Sequence, residues 1–203
     1  MRIDYLIIKR GFDFFLSLIG IIILSPALII IAIWIKMDSK GPIFFRQKRI
    51  GQYNESFYIH KFRSMTTGSE KKGQLTIGND LRITKSGKFI RKYKLDELAQ
   101  LIDVLRGKMS LVGPRPEVPQ FMNKYPDDIR NKILSVKPGI TDLASIEMID
   151  ENEILGKYKD PYQAYIDIIM PIKAKYYLDY IHNQSSFYDL KIILKTIYKV
   201  VFR

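Results

Sequence analysis

Two adjacent carboxylates, Asp96 and Glu97, follow directly on the most basic stretch of the chain. Residues 82–94 carry six basic side chains and no acidic one, a net +6. Such a run keeps both carboxylates ionised and gathers anionic substrate. Downstream, Val112-Gly113-Pro114-Arg115-Pro116 fixes an arginine in a stiff turn, which can aim its guanidinium fork at phosphate oxygens. An ionised carboxylate beside fixed cations suits phosphoryl transfer, as the nucleophile or as a Mg²⁺ ligand. The plain structural alternative is an Asp that caps a helix start. The residues alone leave both readings open.

Other chemistries find no residues to carry them. The chain has no cysteine, which excludes disulfides, Cys-ligated zinc and thiol catalysis. With only His60 and His182, a multi-histidine metal centre has too few ligands. No GxxxxGK[ST] or GxGxxG pattern occurs, so a P-loop or dinucleotide-binding enzyme is unsupported. Ser110 and the histidines form no triad-like pattern, and His60 reads as a packed or hydrogen-bonded residue.

The elements that must position Asp96 and Glu97 follow from apolar spacing. Apolar residues at 95, 98, 101, 102 and 105 predict a helix ended by Gly107. Upstream, 43–51 and 55–65 alternate aromatic and basic residues around Gly51-Gln52-Tyr53-Asn54, a β-hairpin pattern. Residues 66–80 read as a polar loop. Helices are expected over 119–136 and over 162–182, the latter with Pro171 as a kink or boundary. The final helix, 187–202, sets Phe187, Leu190, Ile193 or Leu194, Ile197 and Val200 or Val201 on one face and Lys191, Lys195 and Lys199 on another. That pattern fits core packing with a solvated lysine stripe, or a helix lying in a membrane interface.

From Phe14 to Ile35 run 22 residues without a charge. As a helix this is about 33 Å, enough to reach across a bilayer core. It is not a cleavable leader, because the run is too long and lacks a small-residue cleavage site. Ser25-Pro26 interrupts it at the centre, where proline removes a backbone donor. A kinked spanning helix and a re-entrant hairpin both fit. Basic residues flank both ends (Lys9 and Arg10, then Lys36, Lys40, Arg46, Lys48 and Arg49), and the positive-inside rule pulls both toward the same side. That favours the hairpin.

The whole chain has 203 residues, a net charge of +12 and 47% hydrophobic residues, which fits a folded protein able to bury a core. Its mean hydropathy of -0.07 averages one apolar segment with a polar body. The charge is uneven. Residues 36–63 hold seven basic and two acidic side chains, net +5 beside the membrane segment, which fits anionic headgroups.

Residues 79–117, with Lys137-Pro138-Gly139-Ile140-Thr141, closely resemble the bacterial sugar transferases, the monotopic phosphoglycosyl transferases. The N-terminal apolar stretch with its Ser-Pro break resembles that family's re-entrant helix, and residues 41–51 and 58–65 match its next two blocks. The resemblance covers about residues 9–141 and returns weakly at the C-terminus. It implies an α+β, predominantly helical fold with a re-entrant helix broken at Ser25-Pro26, interfacial amphipathic helices and a small β-hairpin. Residues 1–38 would form the membrane-inserted region and 39–203 the catalytic domain, on the cytoplasmic face of the bacterial inner membrane.

The implied reaction moves a sugar-1-phosphate from a UDP-sugar to polyprenyl (undecaprenyl) phosphate and releases UMP. The family's Asp-Glu pair falls on Asp96, as nucleophile and Mg²⁺ ligand, and on Glu97, which orients both. Arg91 and Arg115, with Lys61 and Arg63 as weaker matches, would contact phosphates. After Thr141 the chain departs from the family's usual glycine and AQVNGR-like stretch, reading Asp142-Leu143-Ala144-Ser145-Ile146-Glu147. Two other classes compete with the enzyme: a non-catalytic protein that binds anionic lipid, and a membrane-tethered nucleic-acid binder. The latter rests on charge alone, so no nucleic-acid partner is expected.

Overall fold

The computed structural model describes residues 3–69, 73, 75–78 and 80–202. The first helix, α1 (Ile3–Asp38), runs helically through Ser25 and Pro26. Ser25 Oγ donates to the Ile22 carbonyl at 2.8 Å, just upstream of the proline. The expected break is therefore a helical proline site rather than a loop. In the turn before a proline, displaced carbonyls accept from serine hydroxyls in this way.

α1 does not stand away from the rest of the chain. The residues that touch the body recur every three or four positions along its length, as one face of a helix requires. Tyr5 and Lys9 donate to Asp189, and Arg10 donates to the carbonyls of Val104 and Leu105. Asp13 accepts from the Leu111 amide, and Ser17 is fully buried. Leu28, Ile31 and Ile35 then pack with Phe62, Ile90, Leu95 and Ala99. The opposite face, with Ile22, Ile23, Ile29 and Ile30, is at least 60% exposed.

The hairpin is as expected: β1 (Phe44–Ile50) pairs antiparallel with β2 (Ser56–Phe62). Tyr53 and Asn54 turn the chain with positive φ. Next come α2 (Lys85–Lys92), a 3₁₀ turn (Leu95–Gln100) and α3 (Leu101–Leu105). One helix was expected over 95–105. Its first turn is instead 3₁₀, and Gly107 ends the run at φ +74°.

A second pairing was not foreseen. β3 (Ser110–Val112) lies parallel to β4 (Gly139–Thr141). Gly113 and Gly139 approach so closely there that a Cβ on either would collide with the other's backbone, so the close approach requires glycine. The helix expected over 119–136 is two pieces, α4 (Pro119–Met122) and α5 (Asp127–Ile133). Pro126 separates them, because the residue before a proline avoids helical geometry.

α6 (Leu143–Glu147), α7 (Glu151–Leu155) and α8 (Pro161–Ala164) follow. A π turn over Tyr165–Ile169 then leads into α9 (Met170–Asn183). The wide turn just before Pro171 absorbs the missing donor, so the expected kink is a π-bulge. The stretch over 66–80 is loop where described apart from 3₁₀ geometry at Ser69, and 70–72, 74 and 79 lie outside the described residues. The main core lies in the C-terminal half, where Val118, Phe121, Met122, Ile133, Leu155, Ile169, Met170 and Tyr177 pack together.

α10 (Ser186–Val201) buries Asp189 and Ile192 against the body. Phe187, Leu190, Leu194, Ile197 and Val201 face outward. Ile193 of the same face packs against Val112, Ile146, Tyr180 and Ile192, so the face is divided between core packing and exposure. Asp189 carboxylate oxygens accept from Tyr5 at 3.0 Å, Lys9 at 2.6 Å and Tyr180 at 2.8 Å, tying the start of α1 to α9 and α10.

Removing one member of a buried ion pair strands the other, at a cost of about 3 kcal/mol. Asp189→Ala is expected to lower the Tm of detergent-solubilised protein by about 6–12 °C at this size. Differential scanning calorimetry checks this; an unchanged Tm means the tie carries no stability.

Candidate active site

The 3₁₀ turn carrying Asp96 and Glu97 starts from Lys94, which holds the left-handed conformation at φ 54°. A lysine rarely adopts that geometry, and strain of this kind concentrates at functional sites. The turn packs through Ala99 on Ile31 and Ile35 of α1, so the apolar helix supports the carboxylates from beneath. Asp96 is 2% exposed and Glu97 9%.

Cations converge on the pair from two further elements. Lys61 of β2 sits between the acids, 2.9 Å from Asp96 Oδ2 and 3.2 Å from Glu97 Oε1. Arg115 clamps Glu97 with both guanidinium nitrogens, at 3.0 Å and 2.5 Å. This bidentate geometry is one that lysine cannot supply. Burial alone would push the Glu97 carboxyl up, but Arg115, Lys61 and Lys94 hold it well below its ordinary range. Glu97 in turn raises the Arg115 guanidinium well above its usual value. Burial pulls the Lys94 ammonium down, with Glu97 opposing.

Asp96 differs from its neighbour in one respect. Its Oδ2 is taken by Lys61, whereas its buried Oδ1 has no hydrogen-bond partner among the described residues. A buried acceptor left unsatisfied costs free energy and calls for an explanation, which strain, a bound water or ion, or a catalytic role can supply.

Lys61 and Arg115 form part of the wall of a cavity of about 480 Å³. Arg91 of α2 also reaches it and donates to Thr76 Oγ1 at 3.0 Å. The structure thus brings Asp96, Glu97, Lys61 and Arg115 together, with Arg91 across the same cavity. Arg63 lines the cavity but spends its guanidinium elsewhere. It donates to the carbonyls of Lys40 at 2.6 Å and Ser39 at 2.8 Å, capping the end of α1. Its expected phosphate contact gives way to a structural task. Ser25 and Pro26 lie on α1, away from this cluster.

His60 is held as expected. Its Nδ1 lies 2.7 Å from Asp103 Oδ1, its backbone N–H donates to Asp103 Oδ2, and its Nε2 meets Arg46. This bond fastens the strand that carries Lys61 to α3, next to the Asp-Glu turn. Asp103 escaped the sequence reading because an acid inside a helical pattern looks solvent-facing. Arg49, Glu117, Glu151, Tyr165 and Lys173, which also line the cavity, were missed for a different reason. They are scattered over more than a hundred residues and share no motif.

The bacterial sugar transferase family model matches residues 4–203. The chain belongs to that family. It is 39% identical to a UDP-N-acetylgalactosamine-undecaprenyl-phosphate N-acetylgalactosaminephosphotransferase of Aeromonas hydrophila, over 95% of this chain and 43% of that protein. It is 41% identical to a UDP-glucose:undecaprenyl-phosphate glucose-1-phosphate transferase of Klebsiella pneumoniae, over 96% of this chain and 40% of the relative. The chain therefore spans well under half the length of those two. The exopolysaccharide production protein PSS of Rhizobium leguminosarum bv. phaseoli is 34% identical, with 95% of this chain and 94% of that one covered.

In this sugar transferase the Glu97 ion pairs contribute stability in proportion to the lowering of its carboxyl. The contribution is complete above the unfolded-state range near ~4.3 and is lost as pH falls from there through the folded value. Glu97→Gln is therefore expected to lower Tm at pH 7 and pH 5, with the gap from wild type closing below about pH 4. Thermal melts across that range check this, and a gap independent of pH overturns it.

Proposed function

We propose that the chain transfers a sugar-1-phosphate from a UDP-sugar to polyprenyl phosphate in two displacements at one phosphorus. The observation that carries the reading is the buried Oδ1 of Asp96, without a hydrogen-bond partner among the described residues, on a carboxylate whose other oxygen pairs with Lys61 of the cation-rich cavity wall. The relatives' names supply the substrate classes.

In the first displacement Asp96 Oδ1 attacks the sugar-bearing phosphorus. The bond from that phosphorus to the bridging oxygen breaks, and UMP leaves with the electron pair. Lys61 and Arg115 are placed to hold the non-bridging oxygens, and Arg91 to hold the departing phosphate. In the second displacement a phosphate oxygen of the lipid attacks the same phosphorus and expels the Asp96 carboxylate. The polyprenyl-diphosphate sugar leaves and Asp96 is restored. Glu97, fixed by Arg115, keeps Lys61 in place and is itself too tightly paired to act as nucleophile.

A magnesium ion fits this donor set. Asp96 would hold the ion through Oδ2, the oxygen it shares with Lys61, while Oδ1 attacks. Mg²⁺ is characteristically bound by one or two carboxylates plus substrate phosphates and water. When bound it would neutralise diphosphate charge and favour departure of UMP.

The lipid phosphate lies at a membrane surface, so the body must sit there too. α1 rests on the body near both its ends, through Lys9 and Arg10 on one side of Pro26 and Ile31 and Ile35 on the other. That placement supports a helix that enters and leaves one leaflet over a span perpendicular to the surface. The outward apolar face of α10 with its lysines, and the exposed Trp34 packed 5.4 Å from Phe89, fit the interface. We place the body on the cytoplasmic face of the bacterial inner membrane. The anionic-lipid-binding reading has no use for an unpaired buried carboxylate oxygen and is not favoured.

With labelled UDP-sugar and Mg²⁺, wild type is expected to acquire a covalent sugar-phosphate label that polyprenyl phosphate discharges. Asp96→Asn is expected to take up none and to lose at least 10³-fold in turnover. Label retained by the variant overturns Asp96 as nucleophile. For topology, single cysteines introduced as Asp4→Cys and Lys40→Cys in this cysteine-free chain are expected to react with an impermeant maleimide from the same side. Opposite-side labelling replaces the re-entrant helix with a span.

A further inference from the structure

The cavity has two chemically different walls. Lys61, Arg91 and Arg115 make a cationic one near Asp96. Away from it, Glu117, Glu151, Tyr165 and Lys173 form a connected polar chain. Tyr165 donates its hydroxyl hydrogen to Glu117 Oε1 at 2.8 Å, and Lys173 Nζ donates to the Tyr165 oxygen at 3.1 Å. Lys173 also pairs with Glu151 Oε2 at 2.7 Å and lies 3.9 Å from Glu117 Oε1. Burial pulls the Lys173 ammonium down, but Glu151 and Glu117 outweigh it and keep it charged.

A staple for α9 does not need this chemistry. Apolar side chains of similar volume usually hold helices at least as well as a buried ion pair does. The polar groups are retained where their edge meets the cavity. Within the ion-paired set, Glu117 and Lys173 side chains are only 5% and 6% exposed, whereas Glu151 is 23% exposed. Glu151 is the carboxylate open to a ligand, and its contact with Lys173 fixes its position.

Position and charge say which part of the donor meets this wall. Carboxylates repel a diphosphate, so the wall faces an uncharged, hydroxyl-bearing group. Glu117 follows Arg115 by two residues, a reach of at most about 7 Å of chain. The sugar is joined directly to the phosphorus that Asp96 and Arg115 face. We infer that this wall reads the donor sugar, with Glu151 accepting a hydrogen bond from a sugar hydroxyl and acting as a specificity-determining residue. The inference rests on the transferase reading above and deepens it. A fixed acceptor at the cavity edge discriminates between epimers, because a donor that lacks or misplaces the hydroxyl forfeits the hydrogen bond.

The test uses the full chain in detergent with UDP-glucose, UDP-galactose, their 2-acetamido counterparts, and UMP. Glu151→Gln keeps the shape and removes the charge, and Asn152→Ala removes a neighbouring cavity-lining side chain without touching the Lys173 pair. The ratio of kcat/KM between the best donor and its 4-epimer is expected to fall at least tenfold in Glu151→Gln, with UMP affinity unchanged within twofold. Loss of UMP binding in parallel, or an equal loss for every donor, assigns the wall to the nucleotide or to folding and overturns the proposal. So does unchanged selectivity in both variants. Calorimetric titration of the same donors without lipid acceptor separates the two readings. Selective binding by a wild type that releases no UMP sinks the reaction and leaves the sugar wall standing.

Discussion

Two neighbouring carboxylates can be buried together only if cations are brought to them, and the fold of this chain is arranged around that requirement. Lys61 arrives from a β-hairpin and Arg115 from a proline-locked corner, and each meets Glu97 within hydrogen-bond distance. The hairpin is held by the His60–Asp103 bond and the corner by the β3–β4 pairing. Take away either support and a buried charge loses its partner, at a cost comparable with a sizeable share of a domain's stability. Glu97 is therefore the organiser of the pair. Asp96 is left with an oxygen to spare because its neighbour absorbs the guanidinium.

The long apolar helix enters the same arrangement. α1 offers one face to the body and the other to its surroundings. The inward face ends on Ala99, three residues from Asp96. Arg10 satisfies the last carbonyls of α3, Arg63 those of α1, and Asp38 accepts from the backbone and hydroxyl of Ser86 at the start of α2. The termini of three helices are thus closed by side chains from elements distant in sequence. Buried helix ends demand such partners. Together they make the apolar helix part of the scaffold of the site.

What could be read from sequence was what local chemistry encodes. The hairpin, the Gly107 stop, the apolar helix and the Asp-Glu pair each carry their signal within a few residues. The helix expected over 119–136 was misread because apolar spacing was given more weight than Pro126. The 3₁₀ form of the Asp-Glu turn depends on a left-handed Lys94 that nothing in residue type announces. The parallel pairing of β3 and β4 joins tripeptides too short for any periodicity. At the site, Lys61, Arg91 and Arg115 were legible through the resemblance. The link from Arg63 to the end of α1 was not, since only the path of the chain brings its two terminal nitrogens to the carbonyls of Lys40 and Ser39. The Glu117–Tyr165–Lys173–Glu151 chain is long-range throughout, so no window of sequence contains it.

The two faces of α1 also follow different rules of substitution. Outward residues such as Ile22, Ile23, Ile29 and Ile30 meet no partner of fixed shape, so any side chain of similar greasiness serves, and they are free to drift. Inward residues are constrained one by one: Arg10 by a pair of carbonyls, Asp13 by an amide, Ile35 by complete enclosure. Over evolutionary time a segment that looks like featureless hydrophobic sequence would therefore keep a conserved stripe with helical period. Its conservation would record the shape of the active site rather than any need of the bilayer.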